Sequence, residues 1–186
     1  MRIISGFLKD KKIDFLKSKV TRPLRDFVKE NIFNIIKHSN LISIKLENAN
    51  VLDLYSGVGS FGIECISREA NLVNFVEQDT NAINVLKKNL LKLSITDKAT
   101  IINDKIENIL NWNKGEQYNI FFFDPPFQDN KFIEILKIIK ENKIYMDKHI
   151  VIIHRDNKST DIIESTLNTI ITKKYGRSKI IFGRFN

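Results

Sequence analysis

The sequence contains one cysteine and three histidines, which are too few for several classes of site. Cys65 cannot form an internal disulfide bond, and in a predicted helix we expect it to be a small buried side chain rather than a nucleophile. His38, His149 and His154 lack the spacing of metal ligands, so we predict no metal site. No apolar run approaches the length of a membrane span, and the first residues lack a signal-peptide pattern. We therefore expect a cytoplasmic protein without a membrane segment.

Acidic residues are outnumbered by basic ones, 22 against 30, which gives a formal net charge of +8. This charge favours a polyanionic partner such as nucleic acid, because binding releases counterions and the field steers association. The chain is also rich in lysine, isoleucine and asparagine together, a bias that genome composition alone can produce. Charge by itself therefore leaves nucleic-acid binding open. The length of 186 residues allows one domain with a core, or one domain with a small appendage.

A strand, a glycine-containing loop and the start of a helix are predicted over residues 51–62. Gly57, Gly59 and Gly62 fit the pattern G-x-G-x-x-G, which is also found in nicotinamide-binding proteins. Asp53 argues against that ligand, because a carboxylate just before the loop would lie close to a pyrophosphate. A cationic ligand suits it better, and S-adenosylmethionine carries an ammonium and a sulfonium but no phosphate.

Acidic side chains lie at the ends of three successive predicted strands. These are Asp53, Glu77 and Asp104, and Glu77 follows Asp53 by 24 residues, near the spacing of a ribose-binding acid. Each acid alone is more simply a helix N-cap or a loop residue. Together with the glycine loop, the three acids predict a ligand site at one edge of an open α/β sheet.

The segment Asp124-Pro125-Pro126-Phe127 is the strongest indication of chemistry. It follows an apolar run over 118–123 that is typical of a buried strand, and the two prolines must end that strand. A carboxylate, a turn carbonyl and an aromatic face suit a flat base that carries an exocyclic amine. A bare proline turn is the simpler interpretation of the two prolines alone.

From residue 51 onward, predicted strands and helices alternate, which indicates a mostly parallel sheet with helices on both faces. The last two strands are joined by the short turn Tyr175–Ser178, so the final strand must run antiparallel. His154 follows an apolar run at the same predicted edge, where we expect a structural role. The predicted strands span 51–55, 72–77, 99–104, 118–123, 149–154, 169–174 and 179–185, and the predicted helices span 60–69, 80–92, 105–111, 130–141 and 159–166.

The N-terminal part is predicted to be a β-hairpin over residues 1–19 with a lysine-rich turn, followed by a helix that opens at Thr21-Arg22-Pro23. Arg22, Arg25 and Lys29 are interpreted as phosphate contacts, although a solvated helix face explains them too. The predicted apolar face of the helix contains Leu24, Phe27, Val28, Ile32, Ile35 and Ile36.

Taken in chain order, these motifs resemble the bacterial small-subunit ribosomal RNA guanine-N2 methyltransferases of the RsmD type. In two places the sequence departs from that family. Leu24 replaces a small hydroxyl residue, and Glu69 replaces a glycine at a helix end, where we expect Asn71 to take the left-handed conformation instead. The residues that carry the resemblance are Met1–Gly6, Thr21–Pro23, Val51–Gly62 with Glu64, Ser67 and Arg68, Asp124–Phe127 and Tyr175-Gly176.

The resemblance implies a Rossmann-like class I methyltransferase fold with a seven-stranded sheet, and an RNA-contacting hairpin-helix extension. The extension would span residues 1–40 and the methyltransferase domain residues 41–186. It further implies that the protein uses S-adenosylmethionine to methylate the exocyclic N2 of a guanine of the guanine-966 class. The substrate would be 16S ribosomal RNA or the assembling small subunit. We expect a monomer.

The resemblance also assigns roles to residues. Asp124 and the carbonyl of Pro125 would orient the amine, Phe127 would stack on the base, and Pro126 completes the catalytic turn. Glu77 would accept hydrogen bonds from the ribose, and Asp104 would contact the adenine. The implied cofactor-binding residues are Asp53, Tyr55, Ser56, Gly57, Gly59, Glu77, Gln78 and Asp104, and the implied RNA-binding residues are Arg2, Lys9, Lys11, Lys12, Arg22 and Arg25.

Two alternatives stay open. The first is methylation of another amino group, such as adenine N6 in DNA or RNA or a protein glutamine, where related proline turns often begin with asparagine. Asp124 favours guanine over these. The second is a nucleic-acid-binding module that keeps the fold without catalysis, which the intact acids at the strand ends argue against.

Overall fold

The structure is a computed structural model that describes residues 1–16 and 24–186. The strands of the described part are β1 Asn50–Leu54, β2 Leu72–Glu77, β3 Ala99–Asn103, β4 Tyr118–Phe123, β5 Tyr145–Asp156, β6 Leu167–Tyr175 and β7 Ser178–Phe185. The α-helices are α1 Asp26–His38, α2 Ser60–Ser67, α3 Thr80–Lys92, α4 Ile109–Trp112 and α5 Lys131–Glu141.

The strands form one sheet in the order β3-β2-β1-β4-β5-β7-β6. Strands β1 to β5 pair in parallel, and β7 is antiparallel to both of its neighbours, β5 and β6. The predicted mostly parallel sheet with an antiparallel last strand is therefore confirmed. The short turn after Tyr175 forces this arrangement, because it cannot cross over the sheet.

Apolar side chains cover both faces of the sheet. Phe122 and Ile152 pack on one face against α1, α2, α3 and the N-terminal residues, whereas Phe121, Phe123 and Val151 pack on the other face against α5. The central strands read as continuous apolar runs because both of their faces are buried. The N-terminal segment shares the first cluster with the sheet, and the division at residue 40 stays a prediction.

The helix that was predicted over 159–166 is wrong. Arg155, in β5, binds both carboxylate oxygens of Asp161 at 2.9 Å, which holds this stretch in an irregular path. A single turn remains, in which the Leu167 N–H donates to the Ile163 carbonyl at 2.8 Å. An isolated eight-residue helix with several β-branched side chains is too short to resist such a competing contact. The predicted helix over 105–111 is a 3₁₀ turn, Ile106–Asn108, that leads into α4.

The expected left-handed conformation of Asn71 is also wrong, because Glu69 takes it with a φ of 72°. The Ala70 N–H donates to the Cys65 carbonyl at 3.0 Å and the Glu69 N–H to the Ile66 carbonyl at 3.0 Å, which is the hydrogen-bond pattern of a Schellman helix end. The backbone at Glu69 thus has the left-handed geometry that a glycine would favour. Because Glu69 has a Cβ, this geometry is sterically unfavourable there. Cys65 itself is buried, as predicted.

The N-terminal hairpin is present in a minimal form. One antiparallel bridge joins Arg2 and Lys12, and the Ile3 N–H donates to the Lys11 carbonyl at 3.0 Å. Residues 17–19 of the predicted hairpin lie outside the described residues. The next helix begins at Asp26, with Arg25 at the N-cap, which is later than the predicted opening at Thr21-Arg22-Pro23, three residues that also lie outside the described part.

Buried polar groups on α2 hold the hairpin. The carboxylate of Glu64 accepts from the N–H groups of Ile4 at 2.8 Å and Ser5 at 3.0 Å. The Ser67 hydroxyl accepts from the Leu8 N–H and donates to the Ser5 carbonyl. Gly6 passes so close to α2 that a Cβ there would lie 1.7 Å from the Ser67 carbonyl oxygen.

Lys29 belongs to the same network, so its interpretation as a phosphate contact is wrong. Its side chain is fully buried, and the ammonium donates to the Arg2 carbonyl at 2.9 Å and lies 3.6 Å from Glu64. Burial lowers the pKa of Lys29, and the charge of Glu64 opposes that shift. The predicted apolar face of α1 holds for Val28, Ile32 and Ile36, but Phe27 is 63% exposed and does not belong to the core.

Candidate active site

A cavity of about 430 Å³ opens at the edge of the sheet where the parallel strands end. Pairing of Asp53 with Phe75 of β2 and Phe122 of β4 brings the carboxyl ends of three strands together. The cavity is lined by ten of the predicted site residues, Asp53, Tyr55, Ser56, Gly57, Glu77, Gln78, Asp124, Pro125, Pro126 and Phe127. The N-terminal part adds Met1, Phe15, Leu16 and Leu24 to the wall, and β5 adds His154.

Asp53 lies at the bottom of this cavity and is 1% exposed. One of its oxygens accepts from the Gly62 N–H at 3.0 Å. Burial raises the pKa of the Asp53 carboxyl well above its usual range, and the nearby charges of Asp124 and Glu77 add to the shift. A ligand cation beside Asp53 would relieve this penalty, so the site favours a positively charged group.

The loop between β1 and α2 depends on its backbone conformation. Tyr55, Gly57 and Gly59 all have positive φ angles, of 61°, 56° and 86°. A Cβ on Gly59 would also lie 2.4 Å from Leu86 Cδ1, so a side chain there would have to displace Leu86. Gly59 is buried behind the cavity and shapes the loop rather than the lining. The Tyr55 hydroxyl donates to Asp129 at 3.3 Å.

Glu77 fixes the same loop from β2. Its two carboxylate oxygens accept from the N–H groups of Gly57 at 2.8 Å, Gln78 at 2.8 Å and Asp79 at 2.9 Å. The carboxylate still lines the cavity and has spare acceptor capacity, since two ionised oxygens offer about four lone-pair sites. Hydroxyl groups of a ligand can therefore donate to it.

Ser56 carries a polar atom without a partner. Its Oγ is buried and makes no hydrogen bond within residues 1–16 and 24–186. Because a buried hydroxyl without a partner costs free energy, its position in the cavity wall indicates that a polar ligand group completes it. The site therefore combines one hydroxyl without a partner, the carboxylates of Asp53, Glu77, Asp79 and Asp124, and an apolar wall.

Asp104 lies apart from the other predicted residues. It follows β3, but its carboxylate accepts from the Lys105 N–H and the Asn108 amide, both at 2.7 Å, and it is absent from the cavity lining. This carboxylate orders the turn before α4. Its predicted contact with an adenine stays a prediction.

The proline turn after β4 is held by Arg155, which the sequence analysis missed. The guanidinium is 1% exposed and donates to the carbonyls of Pro126, Phe127 and Asp129, each at 3.1 Å. It also pairs with Asp161 at 2.9 Å. The feature that could have indicated such a clamp was an arginine two residues after the apolar run Ile150–Ile153, near the end of β5.

His154 was expected to be structural, yet it lies in the cavity wall and contacts Asp124 directly. Its Nδ1 is 2.8 Å from Asp124 Oδ1, and its Nε2 is 2.8 Å from Ser178 Oγ. The Phe127 ring stands edge-on to the imidazole, with centroids 5.8 Å apart. Asp124, Phe127 and His154 thus form one cluster in the cavity wall.

The predicted RNA-binding residues lie on the N-terminal segment, and those that the structure describes are exposed. The hairpin carries Arg2, Lys9, Lys11 and Lys12, and Arg25 precedes α1. Arg2 lies 3.9 Å from Asp10, an exposed pair that leaves the arginine available. Arg22 lies outside the described residues.

Within residues 1–16 and 24–186, no group of three or more His, Cys, Asp or Glu side chains is placed to hold a metal ion. No α-helix in that part of the chain has the length and apolarity needed to cross a membrane.

Comparison with known proteins identifies close relatives. Residues 1–184 match the family described as conserved hypothetical protein 95. A ribosomal RNA small subunit methyltransferase D of Buchnera aphidicola subsp. Baizongia pistaciae is 31% identical over 185 residues, covering 100% of this chain and 91% of the relative. The protein of the same name from Haemophilus influenzae is 33% identical over 144 residues, covering 76% of this chain and 72% of the relative.

Solved structures agree on the fold. The Escherichia coli protein yhhF, described as a candidate methyltransferase, superposes with a TM-score of 0.81 at 24% identity, covering 100% of this chain and 98% of that chain. With the strand order and the antiparallel last strand, this likeness assigns the class I methyltransferase fold.

Proposed function

This chain belongs to the RsmD family of methyltransferases, described as conserved hypothetical protein 95, and we propose that it methylates the exocyclic N2 of a guanine in 16S ribosomal RNA. Methylation of ribosomal RNA follows the names of its relatives. The choice of an exocyclic amine as acceptor is more specific than these names and rests on the Asp124–Phe127 turn. The choice of N2 of a guanine of the guanine-966 class rests on the resemblance to the RsmD family. The observation that supports the amine acceptor most is that this turn lines the same cavity as Asp53 and Ser56.

S-adenosylmethionine fits the cavity and would supply a methyl group that the sulfonium already activates. Asp53 and Ser56 would hold its ammonium end, since one is a buried carboxylate and the other a buried hydroxyl without a partner. Glu77 would accept from the ribose hydroxyls through its free lone pairs, and Gln78 lines the same side of the cavity. Tyr55, Gly57 and Gly59 would shape the loop around the methionine end.

Asp124 and Pro125 would orient the guanine amine, and Phe127 would stack on the base once it has left its own stack. In the transfer that the cofactor would support, the amine lone pair would form the new N–C bond and the electrons of the broken S–C bond would stay on sulfur. Asp124 would then accept the proton that the amine nitrogen loses. Because the methyl donor is already activated, positioning supplies most of the rate, and we expect no metal requirement.

The N-terminal extension, residues 1–40, would contact the RNA. The exposed residues Arg2, Lys9, Lys11, Lys12 and Arg25 suit phosphate groups, and Arg22 is proposed with them. Met1, Phe15 and Leu16 come from the same extension and line the cavity, so the RNA-binding surface continues into the active site. We propose that the protein acts in the cytoplasm as a monomer on 16S ribosomal RNA or on the assembling small subunit.

The test is methyl transfer from labelled S-adenosylmethionine to three substrates: small subunits without their native methylations, free ribosomal RNA and duplex DNA. Nucleoside analysis of the product identifies the acceptor atom. N2-methylguanosine at one site supports the proposal. N6-methyladenine, or label only in DNA or protein, overturns the choice of acceptor and leaves the methyltransferase fold in place.

A variant separates chemistry from binding. Asp124→Ala should reduce turnover strongly while the affinity for S-adenosylmethionine stays within about twofold, because Asp124 would touch the amine rather than the cofactor. Near-normal turnover in this variant would remove Asp124 from the mechanism.

A further inference from the structure

We propose that His154 is a positioning residue that holds Asp124 in the orientation needed to accept from the substrate amine. This inference rests on the proposed function, because it concerns the group that would receive the proton. In this arrangement His154 Nδ1–H donates a hydrogen bond to Asp124 Oδ1, and Asp124 Oδ2 stays free to accept from the substrate amine.

The sheet itself places the two side chains together. Strands β4 and β5 run in parallel, and Phe123 pairs with Ile153, so the next residues, Asp124 and His154, extend from adjacent positions. The imidazole nitrogen lies 2.8 Å from the carboxylate oxygen. His154 is only 7% exposed, so water cannot readily replace the imidazole as the donor.

The partners of the ring fix which nitrogen carries a proton. Asp124 as a carboxylate can only accept, so Nδ1 must be the donor. Ser178 Oγ, 2.8 Å from Nε2, can donate to a neutral ring or accept from a charged one, and both states keep the Nδ1–H. Ser178 therefore supports the bond to Asp124 without competing for it.

Other groups around the ring do not compete either. Ile180 pairs with His154 across the β5–β7 ladder, and Phe127 meets the ring edge-on. Arg155 follows in the strand and so points to the opposite face, where it pairs with Asp161. Lys179, on β7, donates to the Ser159 carbonyl at 2.6 Å. Among the residues that the structure describes, Asp124 is thus the ionisable group in contact with the imidazole.

The consequence is that a partly exposed acid is held in one orientation before the substrate binds. The Asp124 side chain is 22% exposed, so without a fixed partner its carboxylate could turn away from the amine. A displacement of the reacting groups by about 1 Å can cost on the order of 10²-fold in rate. Loss of the His154 donor should therefore lower kcat far more than it changes binding of the cofactor or RNA.

The first test is independent of activity. Ring-nitrogen NMR of isotope-labelled histidine distinguishes which nitrogen carries the proton, and the chain has three histidines to assign. His149 is an internal reference, because its Nδ1 faces the Met146 carbonyl at 2.8 Å and its Nε2 accepts from the Phe185 N–H at 3.0 Å. His154 should match His149 in carrying a proton on Nδ1. A lone pair on Nδ1 of His154 would overturn the proposal whatever the enzyme methylates.

The second test compares two substitutions of different chemistry. In His154→Asn the side-chain amide lies near the place of Nδ1 and can still donate to Asp124, whereas His154→Leu keeps bulk but has no donor. We expect kcat to fall on the order of 10²-fold in His154→Leu and to recover mostly in His154→Asn. The affinity for S-adenosylmethionine and the KM for RNA should stay within about threefold of the original in both variants.

The outcomes separate this inference from the proposed function. Equal losses of kcat in the two variants, with cofactor binding intact, would show that the donor is not what matters and would overturn the role of His154. Unchanged kcat in His154→Leu would overturn it too. Methylation of a different amino group, with the same ranking of variants, would support His154 and overturn only the guanine assignment.

Discussion

Glu64 of α2 should be among the most sensitive positions of this protein, although it lies outside the proposed chemistry. Its carboxylate is fully buried and accepts from two N–H groups of the hairpin. It also pairs with Arg68 at 2.9 Å and lies 3.6 Å from the buried ammonium of Lys29. Glu64→Ala therefore leaves a buried cation and two backbone donors without their acceptor.

The expected loss follows from these contacts. Removing one partner of a buried ion pair costs about 3–5 kcal/mol, and each unsatisfied buried N–H costs about 1–3 kcal/mol. These contributions share one carboxylate and do not add, so we expect a loss of about 3–5 kcal/mol in the free energy of unfolding. A total stability of about 5–15 kcal/mol makes this a severe change. Glu64→Gln keeps the shape and one acceptor and should lose less.

Urea unfolding measures the loss, and limited trypsin digestion measures release of the hairpin at Lys9, Lys11 and Lys12, which are exposed. Cleavage there should be faster in Glu64→Ala than in the original protein. Glu30→Ala is the matched control, because Glu30 is an exposed acid on α1 and its replacement should stay within about 0.5 kcal/mol. A loss below about 1 kcal/mol for Glu64→Ala, with unchanged cleavage, would refute the proposed anchoring of the hairpin.

Three further substitutions test other parts of the structure. Glu69→Gly should raise the free energy of unfolding by about 1 kcal/mol, because it removes a side chain from a residue at φ 72°. Urea unfolding measures this change, and a destabilised variant would contradict the prediction. Burial raises the pKa of Asp53, so its charged form destabilises the fold as pH rises through that pKa. Without cofactor, the thermal stability of Asp53→Asn should therefore increase relative to that of the original protein as pH rises. The variant should nevertheless bind S-adenosylmethionine less tightly. A stability difference that does not change with pH would contradict the raised pKa of Asp53. Arg25→Glu should weaken RNA binding and reduce its salt slope by about 1, whereas unchanged affinity would remove Arg25 from the RNA-binding surface.

The sheet was predictable because its strands carry a simple pattern. The central strands are continuous apolar runs that end at an acid or a proline, and such runs leave few other folds. The terminal hairpin followed from one short turn. Most predicted site residues also meet in one cavity, because parallel strands bring residues at their carboxyl ends to one edge.

What the sequence analysis missed depends on contacts between distant residues. The segment 159–166 has a helical pattern, but the ion pair between Arg155 and Asp161 favours an irregular path over a helix. Lys29 resembles a surface cation until its partner Glu64, far along the chain, is known. His154 could be placed near the edge but not paired with Asp124, because the register of β4 and β5 is not visible in either strand alone.

The position of α2 links the two halves of the proposed reaction. Its N-terminus follows the loop between β1 and α2 that lines the cavity, and Ser60 there lies 3.3 Å from the Lys29 ammonium. Its other end holds the hairpin through Glu64 and Ser67. Because one short helix contacts both the loop proposed to hold the cofactor and the segment that carries Met1 into the cavity wall, we expect a displacement of α2 to change cofactor and RNA binding together. Coupling of this kind is reciprocal, so bound S-adenosylmethionine should tighten RNA binding by the same factor that RNA tightens the cofactor. Substitutions at Asp124, which follows β4, or at His154, in β5, leave α2 itself unchanged and should leave that factor unchanged.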